Sequence, residues 1–211
     1  MQTQGSTTRK TDRRTLYTLG VIKDSLLELL EHDSFDKITV ASLCRQAEIT
    51  RATFYLHFQS LDEVLNAVLD EALMVAESAA REMTMTERMI KLEQLAQTGT
   101  ADDLRRNEHL LSPCQRVADN PKYRTIFQDP TLSNYVIQRI YMMEREESIE
   151  YMTKRTDLSR TEADRLFMML VYGLFYMNRA LKWSKDDSWY RMQFIVNQLI
   201  FGGYGALSQQ K

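Results

Sequence analysis

Residues 39–58 read TVASLCRQAEITRATFYLHF, and this stretch decides the fold of the N-terminal part of the chain. Thr39 and Thr50 each precede a short amphipathic segment, and both are suited to accept a hydrogen bond from the first turn of a helix. Glu48 and Ile49 form the connection between the segments, so the turn is tight. Two short capped helices joined in this way predict a helix-turn-helix, in which the first helix braces a second that enters the major groove of DNA.

The second helix of this motif has an inner apolar side and an outer polar side. Ala47, Ile49 and Phe54 are suitable apolar anchors. An arginine at the start of such a helix can read guanine through its paired donors, and small methyl-bearing side chains can contact thymine methyls. The pattern by itself also fits any two short capped helices without a role in DNA binding. The predicted base-reading residues are Arg51, Ala52 and Thr53, and the predicted phosphate-binding residues are Thr39, Tyr55 and His57.

The same stretch resembles the signature of the TetR family of transcriptional regulators. The sequence has ITV at 38–40, AEIT at 47–50 and TFYLHF at 53–58, similar to the family pattern ITV…A…GVS…TFYxHF. The resemblance covers about residues 12–71. It implies an all-α fold, with an N-terminal three-helix helix-turn-helix DNA-binding domain and a larger C-terminal helical domain for ligand binding and dimerisation.

The resemblance assigns roles to individual residues and exposes two departures from the family pattern. Phe54 and Phe58 would be core residues. Glu48 stands where the family usually has glycine, so a non-glycine residue is expected in a left-handed conformation. Leu61 stands where a lysine often contacts phosphate, which would lower DNA affinity or shift binding to the N-terminal arm. The DNA-binding residues implied are Thr39, Ser42, Arg45, Thr50, Arg51, Ala52, Thr53, Tyr55 and His57.

Composition supports a helical protein and gives no basis for an enzyme. The 211 residues include 7 Gly and 3 Pro, whereas average usage would supply about 25 of the two together. This scarcity argues against sandwiches, barrels and glycine-looped α/β enzymes. No Ser-His-Asp set, P-loop or dinucleotide fingerprint appears, and a helical enzyme is the weakest reading. Two cysteines and three scattered histidines predict no metal site and no cofactor.

Three regions are predicted along the chain: a flexible basic arm at 1–11, the DNA-binding domain at 12–71 and an effector-binding and dimerisation domain at 72–211. One continuous helix is expected at about 103–119. The longest apolar run covers 167–177, which is too short for a membrane span. No signal peptide is expected, and the cytoplasm is the expected compartment. Cys44 is better explained as a small buried residue than as a redox sensor.

The last two long helices, at about 160–183 and 187–207, are apolar on more than one side. A helix of this kind buries a second face against either a larger core or another subunit. The resemblance favours a homodimer through a four-helix bundle, which would read a palindromic operator in double-stranded DNA. The predicted dimer residues are Leu170, Gly173, Leu174, Met177, Ile195, Leu199, Gly202 and Gly203.

The C-terminal region is rich in methionine and tyrosine, which suit a pocket for a small apolar or aromatic effector but also fill ordinary cores. The sequence therefore predicts a DNA-binding transcriptional regulator, a repressor released by a small molecule. The alternative is a regulator controlled by a protein partner through its C-terminal domain, with no small-molecule ligand. The candidate pocket residues are Tyr135, Met142, Met143, Met168, Tyr172, Phe175 and Tyr176.

Overall fold

The computed structural model describes residues 5–78, 83–118 and 120–208, with side chains from residue 13 onward and none at 76–78. Within these residues the regular secondary structure is helical and contains no strand, which confirms the all-α prediction. No helix of this part of the chain is long and apolar enough to cross a bilayer. The helices are α1 Gly5–Leu30, α2 Val40–Gln46, α3 Arg51–Tyr55, α4 Leu61–Ser78, α5 Met85–Thr98, α6 Ala101–Arg106, α7 Pro113–Val117, α8 Arg124–Gln128, α9 Ser133–Arg155, α10 Arg160–Ala180 and α11 Asp187–Leu207, with 3-10 turns at Phe35–Lys37 and Glu108–Leu110.

Two compact units make up the chain. The first contains Met1–Ala72 together with Asp129–Leu132, and the second contains Leu73–Gln128 together with Ser133–Lys211. The division between Ala72 and Leu73 falls inside α4, so one helix has residues in both units. The sequence did not predict that 129–132 would group with the first unit.

Helix α1 begins earlier than the sequence predicts. Residues 5–11 of the predicted arm are helical, whereas residues 1–4 lie outside the described part of the chain. No proline interrupts the stretch, and its polar residues are tolerated in a helix, so the amphipathic segment continues upstream. The prediction of a flexible arm is therefore wrong for residues 5–11.

The first unit is held together by a small apolar core to which each of its helices contributes. Ile22 and Leu26 of α1, Leu43 of α2, Phe54 of α3 and Leu65 of α4 are almost completely buried. Polar contacts tie the surrounding elements together: Lys23 pairs with Glu71, Gln46 Nε2 donates to Glu28 Oε2 at 2.7 Å, and the Phe35 backbone N–H donates to Asp129 Oδ2 at 2.8 Å. The core therefore fixes how α2 and α3 are presented.

In the second unit, the single helix expected at 103–119 is instead two short helices, α6 and α7, separated by a 3-10 turn. Pro113 explains the break, because a proline disfavours helical geometry in the residue before it and is well accommodated at the start of a new helix. Ser112 has an extended backbone and caps α7. Asp119, the last residue of the expected helix, lies outside the described residues.

Candidate DNA-binding surface and ligand cavity

Helix α2 begins where Thr39 caps it. Thr39 Oγ1 accepts from the Ser42 backbone N–H at 3.1 Å, and Ser42 Oγ accepts from the Thr39 backbone N–H at 2.9 Å. This reciprocal capping box satisfies two N–H groups that a helix start otherwise leaves without partners. Thr39 is exposed and Ser42 is half-buried, so both predicted DNA-binding residues lie at the accessible start of α2.

The turn between α2 and α3 is closed by two backbone hydrogen bonds. The Ile49 N–H donates to the Cys44 carbonyl at 3.0 Å, and the Glu48 N–H donates to the Arg45 carbonyl at 3.3 Å. This is the Schellman pattern, which requires a left-handed residue and usually uses glycine. Glu48 takes that conformation with φ of 52°, as the sequence predicts. The turn geometry of the family is therefore kept without the glycine.

Helix α3 is capped by Thr50, whose Oγ1 accepts from the Thr53 backbone N–H at 3.1 Å. The helix ends at Tyr55, and the N–H groups of His57 and Phe58 both donate to the Phe54 carbonyl at 2.9 Å. The Phe54 ring is fully buried and anchors the helix from below. The remaining anchors follow the prediction closely: Ala47 and Phe58 are buried, and Ile49 is half-buried.

The structure brings the predicted DNA-binding residues together on these two helices and their caps, outside the core. Arg45 and Arg51 are exposed cations, which suits a surface that meets phosphates and base edges. Leu56 is 80% exposed between Tyr55 and His57, a position that the motif leaves variable and that the sequence did not single out. Thr39, Arg45, Thr50, Arg51, Ala52 and Tyr55 are exposed, and Ser42, Thr53 and His57 are half-buried.

Cys44 is buried beneath this surface, in agreement with the expectation of a small apolar residue. Burial raises the pKa of its thiol, and the positive charge of Arg51 partly opposes that rise. Because the net pKa is raised, Cys44 is a neutral thiol at physiological pH and lacks the thiolate that redox sensing requires.

The second unit contains a cavity of about 130 Å³ that is partly open to solvent. Its lining comes from α5, α9, α10 and α11 and from the segments around α7 and after α10. The wall is mainly apolar, as ligand pockets generally are, with a few polar groups between the apolar side chains. The apolar lining includes Leu92, Ile140, Phe167, Val171, Phe175 and Trp183, and the polar lining includes Arg88, Gln115, Glu144, Ser148, Asn178 and Asn197.

The cavity differs from the predicted pocket in most of its residues. Phe175 lines it, but Met142, Met143, Met168 and Tyr176 are exposed. Tyr135 and Tyr172 are half-buried outside its lining. The sequence could not choose the inward side of α9 and α10, because methionine, tyrosine and branched side chains occur on several sides of both helices. Leu170 and Leu174, predicted for the dimer, are half-buried and line the cavity.

Helix α11 buries two amide side chains beside its aromatic ones and exposes several apolar side chains. Gln193 is fully buried and Asn197 nearly so, whereas Met192, Ile195 and Leu199 are exposed, Leu199 by 74%. These three exposed residues follow helical spacing along one side, which continues at the exposed Gly202. An apolar stripe of this kind on the surface of a soluble helix marks an interaction site.

On α10, Met169 and Tyr176 are exposed in the same way, and so is Gly173. A Cβ atom added at Gly173, Gly202 or Gly203 would meet no other atom of the chain within 4 Å, so these glycines border open space. Met177 and Gly203 are half-buried. Of the predicted dimer residues, Gly173, Ile195, Leu199 and Gly202 are therefore accessible to a partner.

A buried hydrogen-bond network connects α7, α10 and α11. Gln115 Nε2 donates to Gln193 Oε1, Gln193 Nε2 donates to Asn178 Oδ1, and Trp189 Nε1 donates to the same Asn178 oxygen, each at 2.6 Å. Gln115 and Asn178 also line the cavity. Because buried amides are costly to leave without partners, the network holds the two long helices in one register beside the cavity.

The capped pair α2–α3, its tight turn and the exposed arginines define a helix-turn-helix DNA-binding domain of a transcriptional regulator. Residues 22–68 match the family model described as bacterial regulatory proteins, tetR family, so this domain belongs to the TetR family and the predicted resemblance is confirmed. A search of curated proteins found no match to the chain.

Proposed function

We propose that the protein is a cytoplasmic homodimeric repressor that a small apolar or aromatic effector releases from a palindromic operator. One observation carries the proposal: α10 and α11 line the cavity with one side and expose apolar side chains on another. A ligand that fills the cavity would shift these helices. If the dimer forms through their exposed sides, this shift would also change the dimer interface. The ligand acts only if it prefers one of the two arrangements.

The exposed sides of α10 and α11 support the proposed dimer. Burial of apolar surface stabilises association by roughly 25 cal/mol for each Å² removed from water. Small residues let two helix backbones approach closely, and Gly173 and Gly202 provide them beside larger apolar side chains. A twofold dimer would place two copies of α3 about 34–36 Å apart, one turn of DNA. The operator would then be an inverted repeat.

A route from the cavity to α4 runs through shared lining residues of the second unit. Met85, Arg88, Ile140 and Glu144 line the cavity, and they also line a small cleft that contains Leu73 of α4. Leu73 is buried there. A ligand that displaces these side chains would move the end of α4, whose first residues belong to the DNA-binding unit. A change in the separation of the two α3 helices would then lower DNA affinity.

A mobility-shift assay with DNA from upstream of the protein's own gene tests the proposal. The protein should retard this DNA, and at least one compound of a metabolite panel should abolish the retardation. Retardation that persists with every compound and disappears on addition of a protein partner would support the alternative regulator instead.

A pair of variants assigns the effect to the cavity. Val171→Phe places a larger side chain in the lining, whereas Met168→Phe adds a ring on the exposed side of the same helix. We expect Val171→Phe to abolish the response to the active compound and Met168→Phe to preserve it. An equal response in both variants would place the effector elsewhere.

A further inference from the structure

The backbone that follows α10 has an unusual conformation at Lys182 and Trp183. Lys182 and Trp183 both have φ of 53°, in the left-handed region. Neither is glycine, and the left-handed conformation is unfavourable for an L-residue with a Cβ atom. Such strain persists where surrounding contacts compensate it, and it concentrates at functional sites. Here the Trp183 N–H donates to the Asn178 carbonyl at 3.0 Å.

The Trp183 indole is packed tightly but keeps an unused donor. Its ring makes edge contacts with Phe127 and Phe175, each with ring centroids 5.4 Å apart, and the residue is 2% exposed. Nε1–H has no hydrogen-bond partner in the structure. Trp189 provides the contrast, because its Nε1 donates to Asn178 Oδ1 at 2.6 Å. A buried donor without a partner is destabilising, so the Trp183 indole N–H is available to a ligand that brings an acceptor.

A second unused polar atom belongs to the same cavity wall. Ser148 is buried on α9, and its Oγ also has no hydrogen-bond partner. Trp183 and Ser148 both line the cavity, whereas Trp189 does not. Tyr151 Oη, in the same lining, likewise has no hydrogen-bond partner. Three lining residues thus carry polar atoms without partners in a mainly apolar wall, which is the composition of a site for an apolar ligand with one or two polar atoms.

The charges around the cavity favour a neutral ligand. Arg88 and Glu144 contribute one positive and one negative group to the lining. Cys114 also lines the cavity, and burial raises the pKa of its thiol to about 12, so the thiol carries no charge at physiological pH. The lining offers no surplus of opposite charge to compensate a ligand with a net charge. Burying such a charge in an apolar space costs much free energy.

The volume limits the ligand to about one ring. The cavity measures about 130 Å³, and an apolar cavity of about 150 Å³ is known to accept benzene. Larger ligands of drug size occupy pockets of roughly 300–1,000 Å³. A single six-membered aromatic ring with a small substituent therefore matches the space in this arrangement of the helices.

We propose that the effector is a neutral molecule of about one aromatic ring that carries an oxygen acceptor, and that Trp183 Nε1–H donates a hydrogen bond to this oxygen. The identification as effector rests on the proposed function above. The Ser148 and Tyr151 hydroxyls are further available partners for the ligand oxygen. The apolar side chains of α10, among them Phe167 and Val171, enclose the ring.

Binding of phenol, toluene and benzoate to the full-length protein, measured by calorimetry without DNA, tests the ligand class. Phenol and toluene differ by one hydroxyl in place of a methyl, and benzoate adds a negative charge. A net hydrogen bond of about 0.5–1.5 kcal/mol corresponds to a preference for phenol over toluene of roughly 2–10-fold. Benzoate should not bind. Equal affinity for phenol and toluene, or tighter binding of benzoate, would overturn the proposal.

Two matched variants assign the preference to one indole. Trp183→Phe keeps an aromatic ring but removes the unused donor, so phenol should lose its advantage over toluene. Trp189→Phe removes the other indole N–H, which already has a partner, and should preserve the advantage. In the unaltered protein, the indole N–H resonance of Trp183 should shift with phenol and not with toluene, while that of Trp189 stays in place. An unmoved Trp183 resonance would contradict the assignment even if Trp183→Phe did not fold.

The same compounds in the mobility-shift assay separate this inference from the proposed function. Phenol that binds through Trp183 but leaves DNA retardation unchanged would support the ligand class and contradict the effector-released repressor. DNA release by a charged or much larger compound, with no phenol binding, would overturn the ligand class and preserve the proposed function.

Discussion

At the scale of one residue, Glu48 shows that the fold can impose a backbone conformation that a non-glycine residue disfavours. Its left-handed conformation closes the turn between α2 and α3, and the bonds around it require that geometry. Replacing Glu48 by glycine removes the side-chain conflict, so Glu48→Gly should raise the free energy of unfolding by about 1 kcal/mol. Urea denaturation at constant pH measures the change. Glu48→Ala keeps a Cβ atom and should give no such gain; equal stabilisation by alanine would mean that lost charge is the cause.

Arg51 and Tyr55 are both exposed on α3, but we expect them to contribute differently to DNA binding. An arginine that reads a guanine contributes roughly 1–3 kcal/mol against the wrong base. Arg51→Ala should therefore relax the sequence preference at one position of each half-site, as measured by selection from random DNA. An unchanged selected sequence would remove this residue from base recognition.

Tyr55→Phe should weaken binding to all DNA sequences by a similar factor. The phenol hydroxyl would donate to a phosphate oxygen, and phosphate contacts position the protein without carrying sequence information. The loss of one hydrogen bond corresponds to about 0.5–1.5 kcal/mol, or roughly 2–10-fold. Competition binding with specific and random duplexes measures both factors. A loss restricted to the specific duplex would assign Tyr55 to base recognition.

At the scale of the element, α11 buries aromatic and amide side chains on one side and exposes apolar side chains on another. Gly203 lies next to the exposed side, and a side chain added there meets no atom of its own chain within 4 Å. Gly203→Leu should therefore fold and give a monomer in light scattering, because leucine would hold the partner helix away. Gly20→Leu is a matched control on α1, where the added Cβ also meets open space. A dimer that persists in Gly203→Leu would place the interface elsewhere.

The elements differ in how well the sequence predicts them. Helices α2 and α3 are marked by a cap at each start, so Thr39 and Thr50 predict their first residues correctly. The cavity was not predictable in the same way, because its wall depends on which side of α9 and α10 is buried. Trp183 was missed because it follows the end of α10 in a left-handed turn that no glycine marks. Periodicity predicts a helix, but tertiary packing selects its buried side.

At the scale of the whole molecule, α4 continues from Ala72 in the first unit to Leu73 in the second without a break in the helix. The family pattern predicted the DNA-binding unit in detail because its motif is specific. For the second unit the sequence predicted helices but not the polar network, because Gln193 and Asn178 find partners only in the folded arrangement. The proposed coupling between effector and DNA would depend on this second unit, and it could be measured through α4.

Leu73→Ala should separate effector binding from DNA release. Leu73 of α4 is buried and lines a small cleft, and several other residues of that cleft also line the cavity. Truncating Leu73 therefore weakens the proposed contact between the cavity wall and α4. The neighbouring Met74 is 63% exposed, and Met74→Ala is the control. Leu73→Ala should change the affinity for the compound that releases DNA by less than about 3-fold. Allosteric coupling typically changes the affinity for the second ligand by roughly 5–150-fold. In Leu73→Ala, the factor by which the compound lowers DNA affinity should fall towards one. Calorimetry measures effector binding, and mobility shifts measure release.

Because truncating a buried leucine costs about 2–5 kcal/mol, circular dichroism must show that the variant is folded. Full release by folded Leu73→Ala would mean that the signal reaches the DNA-binding unit by a route that does not involve this contact.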